Sequence, residues 1–349
     1  MKILFAAPVT FHKYTFFISQ YVTGLAKAAK TLGHDVRLVQ TTESIYNPIM
    51  WKFVENIFLE FRRRRKWLAD IPHDSLLMNQ LYQEVRDYKP DLLFIHPLDT
   101  YYLPLIIDRI KQRGTTVITW LGVHPERISS GIQKLLKASN ITLIYDSSYL
   151  DYYKNVLNMD NIRILPLGCD VDYHDSVNPD ESFRRENGVD ICFVGLFDEH
   201  REKYLETLSD YNLGIWSWNI GDYDTPLKKF HRGVAYGESL IKVFKSSKIV
   251  LNIHRDFEES GGNYRLFEIP ACNAFQMVDD KRDIGRYFEV GKEVVTFTSK
   301  DDLRRKVEHY LQNPREREQI AQAGYDRMKK DHTLIDRMQK MIKIAESYL

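Results

Sequence analysis

Residues 260–280 read SGGNYRLFEIPACNAFQMVDD. Two glycines, Gly261 and Gly262, precede a short amphipathic run that carries Arg265 and Glu268. A small-residue turn follows, then an apolar strand that ends in Asp279 and Asp280. Glycines at a helix start leave backbone N–H groups and the positive end of the helix dipole open to an anion. A short strand with few polar positions belongs in a parallel sheet covered on both faces. The stretch therefore predicts one helix–strand unit of a doubly wound α/β domain, with a ligand loop at the helix start.

The same alternation runs in both directions from there. Strands are predicted at KILFAAP, HDVRLVQ, DLLFIHP, TTVITWL and ITLIYDS, and again at DICFVGL, LGIWSW, KIVLNIH, AFQMVDD and EVVTFTS. Helical periodicity lies between them, at 15–32, 76–88, 102–113, 236–247 and 300–312. Residues 314–349 read as helical, with Pro314 at a helix start and Gly324 at its end. A polar connector from Pro166 to Asp190 separates two such sets. The expectation is two Rossmann-like domains with parallel sheets facing a cleft, 1–170 and 171–349. The last helix, about 333–349, is expected to pack back on the first domain.

With 349 residues, two cores are the first expectation. Formal net charge is +1, so no whole-molecule field gathers nucleic acid, and an anion site must be local. Cys169, Cys192 and Cys272 are widely spaced, with no zinc-type spacing, and read as reduced thiols of a cytoplasmic protein. The N-terminal apolar run is too short for a signal peptide, and no apolar run is long enough to span a membrane.

Polar residues gather at the predicted strand ends of the second domain. Gly195 and Arg201 follow one strand, and His254 and Arg255 follow another. Glu259, Ser260, Gly261, Gly262, Asn263, Tyr264, Arg265 and Glu268 then open the helix of 260–280. The glycine turn and the arginines suit a diphosphate. A carboxylate one turn inside the helix suits a neutral diol, because it accepts from two hydroxyls, so Glu268 reads as a ribose acceptor. The alternative is a carboxylate that satisfies its own helix dipole.

The second domain resembles the CgeB-like (spore maturation protein) glycosyltransferases, which have the GT-B fold. The resemblance runs through ICFVGLFDEHREKYLETL, YGESLIKVFKSSKIVLNIHRD, NYRLFEIPACNAF, GRYFEVGKEVVTF, DDLRRKVEHYLQNPREREQIAQAG and DHTLIDRM. The first domain is similar through LGHDVRLVQ, WLGVHPE, IYDSSYLDYY and ILPLGCDVD. The resemblance implies a nucleotide-diphosphate sugar as co-substrate, held mainly by the second domain. It also implies an acceptor on the first domain and no catalytic metal or other cofactor. Retaining relatives carry two glutamates separated by seven residues. Glu268 matches the second, and the first position falls on Ser260, beside Glu259. A family glycine is Asn273 here, a residue that tolerates a left-handed backbone.

If transfer inverts, a first-domain base must stand near the acceptor. His96, Asp99, His124 and His12 fall at strand ends, with structural histidines as the alternative reading. DYD at 222–224 has the letters of a metal motif but reads as a loop. In 51–68, apolar residues at helical spacing lead into Arg62–Arg65 and Lys66. Such a helix can rest on an anionic membrane, at ~1 kcal/mol per basic residue, or hold a charged acceptor, or pack in a core. The function expected is hexosyltransferase-type transfer to a glycan, lipid-linked or surface acceptor, as in cell-surface polysaccharide biosynthesis. The enzyme would be cytoplasmic, or peripheral at the inner face of the membrane. A non-hydrolysing nucleotide-sugar 2-epimerase and a non-catalytic nucleotide-sugar-binding protein are the alternatives.

Overall fold

The computed structural model describes residues 1–7, 16–40, 72–97, 104–122 and 125–348. They form two compact units. One comprises Met1–Tyr145, Tyr149–Leu165 and Arg337–Leu349, and the other Asp146–Ser148 and Pro166–Asp336.

The first unit alternates β1 (Lys2–Ala7), α1 (Phe16–Thr31), β2 (Asp35–Gln40), α2 (Pro72–Tyr88), β3 (Leu92–Ile95), α3 (Pro104–Lys111), β4 (Thr116–Leu121), α4 (Ser130–Ala138), β5 (Ile141–Ile144) and β6 (Ile162–Ile164). The strands make one parallel sheet in the order β2-β1-β3-β4-β5-β6. Phe5 lies opposite Leu38 on one side and Phe94 on the other. Every residue of β3, β4 and β5 is buried, which explains why these strands read as unbroken apolar runs. Leu4, Leu93, Val117 and Leu135 belong to one core cluster, and Leu121, Ile144 and Tyr153 to another.

The second unit contains α5 (Val171–Ser176), α6 (Glu181–Asn187), β7 (Ile191–Val194), α7 (Glu199–Leu205), β8 (Leu213–Trp216), α8 (Glu238–Lys245), β9 (Ile249–Asn252), α9 (Tyr264–Ala271), β10 (Gln276–Asp279), α10 (Ile284–Tyr287), β11 (Val295–Phe297), α11 (Lys300–Gln312) and α12 (Pro314–Asp331). Its strands are parallel in the order β11-β10-β9-β7-β8. Alternate residues face alternate layers. Ile191 and Phe193 join one cluster with Leu303 and Val307 of α11, while Cys192 and Val194 join another with Ile241 and Phe244 of α8. The last helix, α13 (Leu334–Glu346), belongs to the first unit from Arg337 on.

Strand order reverses direction between β1 and β3 in the first sheet and between β7 and β9 in the second. In open parallel sheets, ligands bind beyond the carboxyl ends of the strands at such reversals. That rule singles out His96 after β3 in the first unit. In the second it singles out Val194–Gly195 after β7 and Ile253–His254 after β9.

Two expectations need correction. Gly324 does not end a helix: α12 runs on to Asp331. A Cβ at Gly324 would lie 2.4 Å from the Glu293 carbonyl oxygen, so the glycine lets the helix press against that segment. The polar connector is not uniformly loose either. It holds α5 and α6, each capped by an aspartate, Asp170 and Asp180, that accepts from the N–H three residues on.

Candidate functional site

The helix of 260–280 is α9, and its start is tightly defined. Gly261 has φ +90°, and a Cβ there would come within 2.5 Å of Lys281 Cβ. Only glycine fits both conditions without strain. Asn263 then caps α9, its side chain accepting from Leu266 N at 3.0 Å. Pro270 sits inside the helix and has no N–H for the Leu266 carbonyl. Gln276 of β10 supplies the missing donor, its Nε2 reaching that carbonyl at 3.2 Å. Asn273 ends the turn with φ 52°, the left-handed conformation expected of it.

Glu268 is 2% exposed. Arg265 Nη1 donates to its Oε2, and His174 Nε2 lies 3.9 Å from its Oε1. Burial opposes ionisation of Glu268, but Arg265 and then His174 outweigh it and hold the carboxyl below its ordinary range. Arg265 also donates through Nε to Val194 O, at the end of β7, at 3.3 Å, and its guanidinium lies 5.7 Å from the Phe244 ring centroid. The pair is thus pinned to the reversal point of the sheet.

Arg201 and His254 brace the same edge. Arg201 is largely buried and donates to Ile253 O at 2.8 Å and Leu196 O at 2.9 Å, joining the ends of β9 and β7. His254 is fully buried, and its Nδ1 and backbone N–H lie 2.7 and 2.8 Å from Asp279 Oδ1. Its Nε2 lies 3.1 Å from Gly261 O, so the histidine ties β10 to the glycine turn. Burial opposes ionisation of Asp279, but the hydrogen bonds and charge of His254 keep its carboxyl below the usual range. Arg255 N donates to Glu258 Oε2 at 3.0 Å. Glu259 is exposed. Ser260, where the resemblance puts a glutamate, is fully buried, and its Oγ has no hydrogen-bond partner among the described residues. Gly195 N donates to Trp216 O at 3.1 Å, and Gly262 is buried beside Gly261. Tyr264 OH lies 3.6 Å from Cys169 Sγ.

The family described as glycosyl transferase-like matches residues 199–343. This segment holds β8, β9, α9 and the Arg265–Glu268 pair. The chain is 21% identical to the spore protein CgeB of Bacillus subtilis (strain 168) over 285 residues, 74% of this chain and 82% of CgeB. Among solved structures it is similar to the catalytic domain of starch synthase IV from Arabidopsis thaliana bound to ADP and acarbose. The TM-score is 0.70 at 12% identity, over 99% of each chain. It is also similar to Anabaena Alr3699/HepE in complex with UDP-glucose, with TM-score 0.64 at 10% identity, over 99% of this chain and 100% of that one. The fold is GT-B.

In the first unit of the GT-B chain, His96 is 3% exposed, 4.9 Å from the Trp120 ring, and its Nδ1 has no partner among the described residues. Burial pushes it down to about 3, so the ring is neutral and weakly basic. Asp99, His124, His12 and the basic stretch 51–68 lie outside the described residues. Asp222 ends a short turn at Ile220–Asp222, and Asp224 is exposed. Among the described residues no three His, Cys, Asp or Glu side chains are grouped to hold a metal. No helix of the described residues is long and apolar enough to cross a membrane.

Sequence reasoning missed His174. It lies in the polar connector, and nothing in its spacing links it to Glu268. Its aspartate cap was the available local signal for α5.

Proposed function

We propose that the chain is a glycosyltransferase of the GT-B type that moves a sugar from a nucleotide-diphosphate sugar to a glycan, lipid-linked or surface acceptor without a catalytic metal. The observation that carries this reading is the Arg265–Glu268 pair at the start of α9, beside the reversal point of the second sheet. Glu268 accepts from the ribose hydroxyls, and Arg265 with the N–H groups around Gly262 to Arg265 faces the diphosphate. Cations there stabilise the charge that builds on the leaving diphosphate. The UDP-glucose on HepE and the ADP on starch synthase IV support a nucleotide-bound second unit and leave the base open.

The acceptor belongs to the first unit, with His96, Asp99 and His124 as the groups to test as bases. A peripheral membrane contact through 51–68 and a place in cell-surface polysaccharide synthesis go with a lipid-linked acceptor. A cytoplasmic setting is supported by three unpaired, buried cysteines, with the Cys192 and Cys272 thiols pushed up to about 12 by burial. Ser260 at the donor-sugar position favours one other reading, a nucleotide-sugar-binding protein without turnover.

The test is incubation with UDP-, GDP-, ADP-, dTDP- and CDP-sugars, with and without EDTA, over a panel of oligosaccharide and lipid-linked acceptors. Mass spectrometry then follows nucleoside diphosphate release and new glycosidic product. Product that persists in EDTA supports the proposal. Nucleotide binding with no product under any condition favours the binding protein.

A further inference from the structure

The Glu268 carboxylate is buried, and its two oxygens face two different basic groups. Arg265 takes Oε2 from within α9, while His174 of α5 faces Oε1 at 3.9 Å. Arg265 keeps 29% of its side chain exposed, whereas the His174 and Glu268 side chains keep 1% and 3%. Of the three, the arginine is therefore the side chain with room to move. His174 is fixed where it stands. Its Nδ1 is 2.7 Å from Asp170 O, which orients the ring, and Cys169 Sγ is 3.4 Å from Nε2. From α8, Lys245 Nζ donates to the His174 carbonyl at 2.7 Å and to Val177 O at 2.8 Å, clamping the end of α5. A distance of 3.9 Å is too long for a hydrogen bond, so the ring acts on the carboxylate as a nearby charge.

A buried carboxylate that loses its only counter-charge is strongly destabilised. If Arg265 were the sole partner, it could not leave Glu268 for a diphosphate without that penalty. We infer that His174 is a positioning residue: it holds Glu268 through Oε1, keeps the carboxylate in place for the ribose diol, and so frees Arg265 to engage the diphosphate. This inference rests on the donor-site reading above. Burial opposes protonation of His174, while its contacts with Cys169 and Glu268 raise it above its ordinary value.

The experiment compares UDP, ADP and GDP, each beside its 2′,3′-dideoxy counterpart, on the wild type, His174→Gln and His174→Leu. Binding is read by calorimetry, after circular dichroism has checked the fold. The wild type is expected to prefer one ribonucleotide over its dideoxy form by tenfold or more, the scale of a lost hydrogen bond to a charged group. His174→Leu and the uncharged His174→Gln should both abolish that preference, and both should also weaken the dideoxy form to a smaller degree, because Arg265 then stays on Glu268. A general structural defect would weaken both nucleotides by the same factor and leave the preference in place. Full ribose preference in His174→Leu would overturn the inference and leave the donor site standing. If that variant fails to fold, full preference in His174→Gln overturns it equally. No binding of any of the three to the wild type would overturn the donor site itself, and this inference with it.

Discussion

Glu268 joins two kinds of evidence at a single residue. Its place in the sequence suggests a diol acceptor, and its surroundings hold a buried carboxylate between a guanidinium and an imidazole. Glu268→Gln keeps the shape but removes the charge, so nucleotide affinity should fall by about 1–3 kcal/mol. Unchanged affinity by calorimetry removes Glu268 from the site. The depressed folded pKa fixes the sign of an acid effect: the stabilisation is present above the ordinary 4.5 and is lost as pH falls through the lower folded value. The melting temperature of the wild type should drop more steeply than that of Glu268→Gln below about pH 4.5. Parallel acid profiles would show that the carboxylate is not held by its partners. Gly261→Ala combines a strained φ with a Cβ only 2.5 Å from Lys281 Cβ, so it should cost about 1–3 kcal/mol or more in urea unfolding. A variant within ~0.5 kcal/mol of the wild type would contradict the turn geometry. The glycine turn, Arg265 and Glu268 were legible because the helix start and its charges are adjacent in sequence. His174 was not, because its relation to Glu268 exists only once α5 is laid beside α9.

At the scale of the element, α9 shows how a helix tolerates a proline. Pro270 leaves the Leu266 carbonyl without its backbone donor, and Gln276 fills the gap from the next strand. Gln276 also accepts from Asn252 Nδ2 at 3.2 Å, and Asn252 in turn donates to the Asn263 cap at 3.1 Å. Gln276→Leu should therefore cost about 1–3 kcal/mol, since it strands the Leu266 carbonyl and takes one of two acceptors from Asn252 Nδ2. Urea denaturation measures this, and a neutral result would show that α9 needs no such partner. The strands were easy to read because each is an apolar run with burial on both faces. β6 escaped because its burial alternates at the sheet edge, with Arg163 exposed, over only 3 residues. The end of α12 was misread because a glycine can stop a helix or let it pack closely, and sequence alone does not separate the two.

At the scale of the molecule, two parallel sheets built from one repeated pattern give a GT-B chain that keeps its fold at 10 and 12% identity to HepE and starch synthase IV. Such distance is tolerated because burial periodicity and crossover order, not particular side chains, specify the sheets. Nucleotide binding by the second unit is measured by calorimetric titration of the whole chain. UDP, ADP, GDP, dTDP and CDP are titrated with and without EDTA. One nucleoside diphosphate should bind with the same affinity in both conditions. At a hundredfold excess over its dissociation constant, it should stabilise the fold by about 2.7 kcal/mol. Binding that disappears in EDTA would contradict a metal-free donor site, and no binding by any of the five would contradict the donor site altogether.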